Sequence, residues 1–114
     1  MSLETRKADG DVVILKVGGR LAAGEAAAHL RDVIQRHLDE GVRKLVIDLE
    51  DVFYVDSSGL GALITGFTSM RNLQGDAKLL KPTKRIKDLL QITRLLTVFE
   101  VFDDEAKAVE SFKR

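Results

Sequence analysis

The groups best placed to do chemistry in this chain are two serine hydroxyls behind a carboxylate, in Asp56-Ser57-Ser58-Gly59-Leu60-Gly61. A short apolar run that includes Val46, Ile47 and Leu49 leads towards them. The apolar residues after them recur at helical spacing. The pattern therefore predicts strand, turn and helix, with the serines at the helix start. The first N–H groups of a helix lack intrahelical partners, and its dipole is positive there. Negative charge is favoured at such a place, so a serine there is well placed to carry a phosphate. Asp56 reads as the helix cap or a turn former. Its chemical alternative is to orient a serine, or to help hold the Mg²⁺ of a donor nucleotide during transfer. Gly59 and Gly61 would permit close approach of a neighbouring backbone.

Helical rotation of ~100° per residue separates the two hydroxyls. With Leu60, Ile64 and Phe67 taken as the buried direction, Ser57 falls roughly 60° from Leu60 and Ser58 roughly 160° away. The expectation is that Ser58 faces solvent and accepts phosphate, with Ser57 a cap, a packing residue or the alternative acceptor. The stripe through Ser58 continues along Ala62, Thr65, Ser69 and Asn72, all small or short polar side chains. Such a face costs little side-chain entropy to bury under a partner, although it could equally pack on another element of the same domain. The expected partner-binding set is Asp56, Ser57, Ser58, Gly59, Gly61, Ala62, Thr65 and Ser69. A phosphate in its midst adds about −1.5 to −2 charges. Desolvating that charge is costly, so a partner that bound the free serine would be released.

Other chemistries fail on spacing. A serine hydrolase wants G-x-S-x-G, and Val55 and Asp56 stand where the first glycine should be for either serine. Gly61 and Gly66 have the glycine spacing of a phosphate-binding loop, but Phe67 follows in place of lysine. Asp48 could end a central strand as in a phosphoacceptor receiver domain. The acidic pair expected after the first strand is missing, however, and Asp48 reads as a strand-end residue bonded to loop amides. His29 and His37 lie eight apart in one helix with no matching acids and read as surface residues. The sequence offers no catalytic residue, no metal site and no cofactor site.

Composition narrows the class. With 114 residues the chain is read as one domain, residues 1–114, and 45% apolar with 32% charged residues is ordinary for a soluble globular protein. Eighteen basic and 18 acidic residues balance, which supplies no general field for nucleic acid or a membrane surface. There is no cysteine, so disulfides and thiolate chemistry are excluded. No apolar segment resembles a secretory leader or reaches the ~20 residues of a membrane span. The expected location is the cytoplasm, without direct membrane contact.

The elements that must position the turn follow from periodicity. Strands are expected at 3–8, 12–17, 44–49, 77–80 and 98–102. The second of these should end at Gly18-Gly19-Arg20-Leu21. Helices are expected at about 24–38, from the motif to Gly75, at 83–93, and after Asp103-Asp104-Glu105, where Ala106, Val109 and Phe112 would be buried. Strands alternating with helices imply an α/β sandwich on a mostly parallel sheet, the strands at 12–17 and 44–49 pairing through a right-handed crossover.

This order, the D-S-S-G-L-G turn and the Gly19-Arg20-Leu21 turn together resemble the STAS domain of bacterial anti-sigma factor antagonists over nearly the whole chain. The resemblance implies a STAS-like α/β fold, a mostly parallel mixed sheet with helices packed against it. It also points to Ser58 as phosphoacceptor. It implies a serine-kinase anti-sigma factor as partner, bound by the unphosphorylated form so that a sigma factor is freed, and a separate phosphatase that resets Ser58. One departure is Ala22, where many members carry aspartate, which weakens any role of that loop in contacting nucleotide or phosphate. The first alternative is a STAS subunit of a stress-signalling complex or of an inner-membrane lipid or anion transport system. The second, from another class, is a catalytic domain with Ser58 as nucleophile.

Overall fold

The computed structural model describes residues 1–113. Its elements are β1 (Ser2–Ala8), β2 (Val12–Leu21), α1 (Glu25–Asp39), β3 (Lys44–Val55), α2 (Ser57–Asn72), β4 (Asp76–Leu80), α3 (Lys84–Ile92), β5 (Val101–Phe102) and α4 (Glu105–Glu110). The strands form one sheet in the order β1-β2-β3-β4-β5. β1 pairs antiparallel with β2, and every other neighbouring pair is parallel. The mixed, mostly parallel sheet is the one the strand–helix alternation implies.

Strand alternation divides the core in two. Val13, Leu15 and Val17 of β2, Leu45, Ile47 and Leu49 of β3, and Ala77 and Leu79 of β4 pack with Leu30 and Ile34 of α1 and Leu63 and Met70 of α2. Val12, Ile14, Val46 and Leu80 point the other way and meet Ala108 of α4, with Ala8, Phe102, Val109 and Phe112 around them. The second face carries buried polar groups as well. Lys78 is 3% exposed; it donates to the Ser111 hydroxyl, and its ammonium lies 4.4 Å from the Phe112 ring centroid. A cation on a ring face is attracted by the ring's quadrupole, which offsets part of the cost of burying it.

Several expectations are corrected. β2 does not end at its glycines, and β3 does not stop at Leu49. The two strands run on together to Leu21↔Val55, with register shifts between Lys16 and Gly18 and between Gly19 and Arg20. Gly19, at φ 90°, takes a conformation that side chains disfavour and so accommodates the irregularity. Asp48 is consequently a mid-strand residue, 4% exposed, that accepts from the Glu50 amide at 3.0 Å. β5 is only Val101–Phe102, because Leu95–Thr97 closes a 3-10 turn after Arg94 at φ 63°. In α4, Ala106 is exposed and Ala108 is the buried alanine. Val109 and Phe112 join it at helical spacing, and Ala106 falls well off that direction.

Candidate functional site

The long β2–β3 pairing brings Leu21 and Val55 side by side at one end of the sheet. Asp56 follows and ties three segments together. Its amide meets the Leu21 carbonyl at 3.4 Å. Its carboxylate accepts from the Gly59 amide through Oδ1 and from the Ala23 amide through Oδ2, each at 2.9 Å. The reading of Asp56 as helix cap holds, and through the bond to Ala23 the same side chain also anchors the loop between β2 and α1. The Gly59 amide first, and then the Ala23 amide, hold the Asp56 carboxyl below the usual carboxylate range. The α2 dipole is thus already met by a carboxylate at its N-terminus, and the Gly59 amide is not free for an incoming phosphate.

Gly59 is required by close approach, since a Cβ there would overlap the Leu21 carbonyl oxygen. Two turns on, a Cβ on Gly66 would lie 2.7 Å from Ile34 Cδ1. Ala62, between them on the same face, is fully buried. Gly59, Ala62 and Gly66 therefore form a smooth seam along which α2 settles on α1 and the end of β2.

This seam corrects the expected helix faces. The buried direction of α2, averaged over Gly59, Leu60, Ala62, Leu63, Gly66 and Met70, lies roughly 90° from the Leu60–Ile64–Phe67 direction. Leu60 is buried, but Ile64 and Phe67 are only half-buried; the Phe67 ring instead makes an edge contact with Phe99, centroids 5.1 Å apart. Ser57 is exposed rather than near the core, and Ser58 is half-buried rather than fully open. Measured from the true buried direction, Ser57 stands about 150° away and Ser58 about 110° away. Ala62 is not part of an exposed stripe. Of the expected partner-binding set, Gly59 and Ala62 are buried, Ser57 and Thr65 are exposed, and Asp56, Ser58, Gly61 and Ser69 are half-buried. The small residues caused the misreading: glycine and alanine carry little hydrophobic signal, yet they are what allows two helices to touch.

Three further groups at this end were not singled out from sequence. The Arg20 guanidinium stacks 4.3 Å from the Tyr54 ring centroid, and that of Arg85 lies 5.9 Å from it. Arg20 and Tyr54 are register partners, so only the strand extension brings them together. On α1, Arg31 reaches over α2: a Cβ on Gly61 would stand 3.4 Å from its Nη2. His29 is exposed, and His37 is half-buried with its ring nitrogen 3.4 Å from the Thr5 hydroxyl. Among the described residues, no helix is long and apolar enough to cross a membrane.

Comparison with known proteins gives the family of the chain. Residues 2–108 match the family model of the STAS domain. The anti-sigma-B factor antagonist of Listeria monocytogenes is 31% identical over 107 residues, 94% of this chain and 93% of its own length. The crystal structure of a candidate anti-sigma factor antagonist from Thermotoga maritima superposes with a TM-score of 0.91 at 27% identity, over 98% of this chain and 95% of that one. The Bacillus cell-fate determinant SpoIIAA in its phosphorylated form gives a TM-score of 0.77 over 97% of this chain and 99% of its own; at 19% identity this speaks for the fold alone. By its strand order, its D-S-S-G-L-G turn at the start of α2 and these matches, the chain belongs to the STAS-domain family.

Proposed function

We propose that this protein is an anti-sigma factor antagonist whose grip on a serine-kinase anti-sigma factor is switched by phosphorylation of Ser58. The observation that carries the reading is the stapled start of α2. Asp56 fixes the turn through two backbone bonds, and the residues after it leave two hydroxyls outside the buried seam of a helix packed so close to β2 that a side chain at Gly59 would overlap the Leu21 carbonyl. The curated relative from Listeria monocytogenes, named an anti-sigma-B factor antagonist, supports the class of partner.

In the unphosphorylated state the kinase docks on Asp56, Ser57, Ser58, Gly61, Thr65 and Ser69, while the buried Gly59 and Ala62 shape the helix beneath. Phosphate on Ser58 adds about −1.5 to −2 charges beside the Asp56 carboxylate. A docked partner would have to desolvate both, so it leaves. A phosphatase then restores the binding form. The protein acts by occupying the kinase, as a binding regulator and not as a catalyst.

Ser58 is preferred over the more exposed Ser57 because the family resemblance points to it. Incubation with the cognate kinase and ATP, followed by intact-mass and fragment spectra, tests the assignment. One phosphate on Ser58, lost in Ser58→Ala, is expected; phosphate on Ser57, or on neither serine, overturns it.

A further inference from the structure

The position of Arg31 has a bearing on the phosphorylated state. Its guanidinium lies over the α2 backbone at Gly61, and among the described residues it has no ion-pair partner. Two other arginines close to these helices are engaged: Arg43 donates to the Leu38 and Val42 carbonyls, and Arg71 lies 3.9 Å from the Asp76 carboxylate.

The helix lattice shows which hydroxyl this guanidinium adjoins. Residues 58, 61, 62 and 65 stand at i, i+3, i+4 and i+7, and so ring one hole on the surface of α2. Gly61 and Ala62 make the hole shallow. Ala62 is buried one turn before Gly66, whose open side meets Ile34 of α1. Around the helix axis Ala62 lies about 40° from Ser58 and about 140° from Ser57. Gly61 itself stands one turn after Ser57 and about 40° from it, but a side chain arriving at Gly61 from the Ala62–Gly66 side crosses the hole beside Ser58 first, with Ser57 on the far side of Gly61. Neighbours three and four apart have Cβ atoms ~5–6 Å apart, within reach of a small turn of an exposed arginine.

The start of α2 creates a need for such a cation. The Gly59 amide is already bonded to Asp56, so a phosphate on Ser58 would face that carboxylate without the Gly59 N–H to neutralise it. We propose that Arg31 is the built-in counter-ion for phosphate on Ser58. Its planar fork matches two phosphate oxygens and draws the phosphate towards α1, away from Asp56. The phosphorylated form is thereby held in one arrangement, with α1 and α2 bridged across their seam. The inference rests on Ser58 as the modified residue, and its test is arranged not to depend on any kinase.

Protein carrying phosphate on Ser58 alone, made by encoding phosphoserine at that codon, is titrated by phosphorus NMR. The same is done in Arg31→Gln and Arg31→Lys backgrounds, and with phosphate on Ser57 instead. The second ionisation of a free phosphoserine lies near pH ~6. With Arg31 intact, phosphate on Ser58 should ionise below that value. Arg31→Gln should raise its midpoint by about 0.5 unit or more, since an opposite charge a few ångströms away favours the ionised form. Arg31→Lys should restore part of the shift, and phosphate on Ser57 should not respond to Arg31→Gln. Urea melts of the unphosphorylated variants should coincide, because Arg31 is exposed. Identical titrations with and without Arg31, or an equal response on Ser57, overturn the proposal. A kinase that modifies Ser57 or neither serine would instead overturn the phosphoacceptor assignment and leave these titrations as they stand.

Discussion

Asp56 before α2 and Asp104 before α4 each accept a backbone amide three residues on, at 2.9 and 3.0 Å. Their surroundings differ. After Asp104, Glu105 is clasped by Arg6 of β1, whose Nη1 donates to Oε2 at 3.0 Å and whose Nη2 donates to Oε1; α4 thus begins in an ion pair that pins it to the sheet. After Asp56 come two serines, two glycines and a leucine, and the second carboxylate oxygen reaches back to Ala23. Both carboxylates cap a helix, but only one also fixes a neighbouring loop beside uncharged hydroxyls. A cap alone therefore does not mark a site. What sets the start of α2 apart is a cap that positions a second segment, next to small, uncharged side chains.

The largest expected effect separates the two helix starts by binding. Ser58→Asp should weaken the cognate kinase by roughly 30-fold or more, the scale of about 2–5 kcal/mol for an unpaired charge buried in an interface. Lys107→Asp, in the first turn of α4, should leave affinity unchanged in the same calorimetric titration. Tight binding by Ser58→Asp would move the interface elsewhere. Next in size is the seam. Gly59→Ala should cost about 1–3 kcal/mol in urea melts, because backbone must shift to admit the methyl group. Ala106→Ser on exposed α4 surface should stay within about 0.5 kcal/mol.

Removing the caps gives a smaller and more diagnostic contrast. Asp104→Ala should cost about 1 kcal/mol as an ordinary lost cap. Asp56→Ala should in addition speed amide hydrogen exchange at Ala23, a change that Asp104→Ala should not produce. The mildest effect is in pH. The Asp56 and Glu105 carboxyls are both held low in the folded protein, Asp56 by backbone amides and Glu105 chiefly by its bond from Arg6. Each therefore contributes stability that is complete above the unfolded carboxylate pKa of about 4 and is lost as pH falls through its folded value. Asp56→Asn and Glu105→Gln should each flatten the loss of urea midpoint between neutral pH and pH ~3.

The succession of strands and helices and the parallel pairing of β2 with β3 were legible because apolar β-forming runs and helical periodicity alternate along the chain. The continuation of β3 was not. Glu50 and Asp51 interrupt the apolar pattern, and only pairing with the bulged end of β2 carries the strand on to Val55. The D-S-S-G-L-G turn and its cap were legible from residue types, since an aspartate before a helix has few other roles. The orientation of α2 was not, because its direction is set by Gly59, Ala62 and Gly66, which periodicity arguments weigh least. Arg31 left no local trace: its place over Gly61 exists only once two helices far apart in sequence are laid together.

The long β3 has one more consequence. β4 accompanies it only as far as Asp48↔Leu80, so residues 50–55 have a strand partner on the β2 side alone among those described. Phe53 on this stretch is 61% exposed. A bare, partly apolar edge of that kind invites another chain to add a strand. Here a helix stands in for the missing strand: Arg85, Ile86, Leu89 and Ile92 of α3 line a cleft with Phe53, Tyr54 and Val55. α3 thus covers part of an edge that would otherwise be open to strand addition.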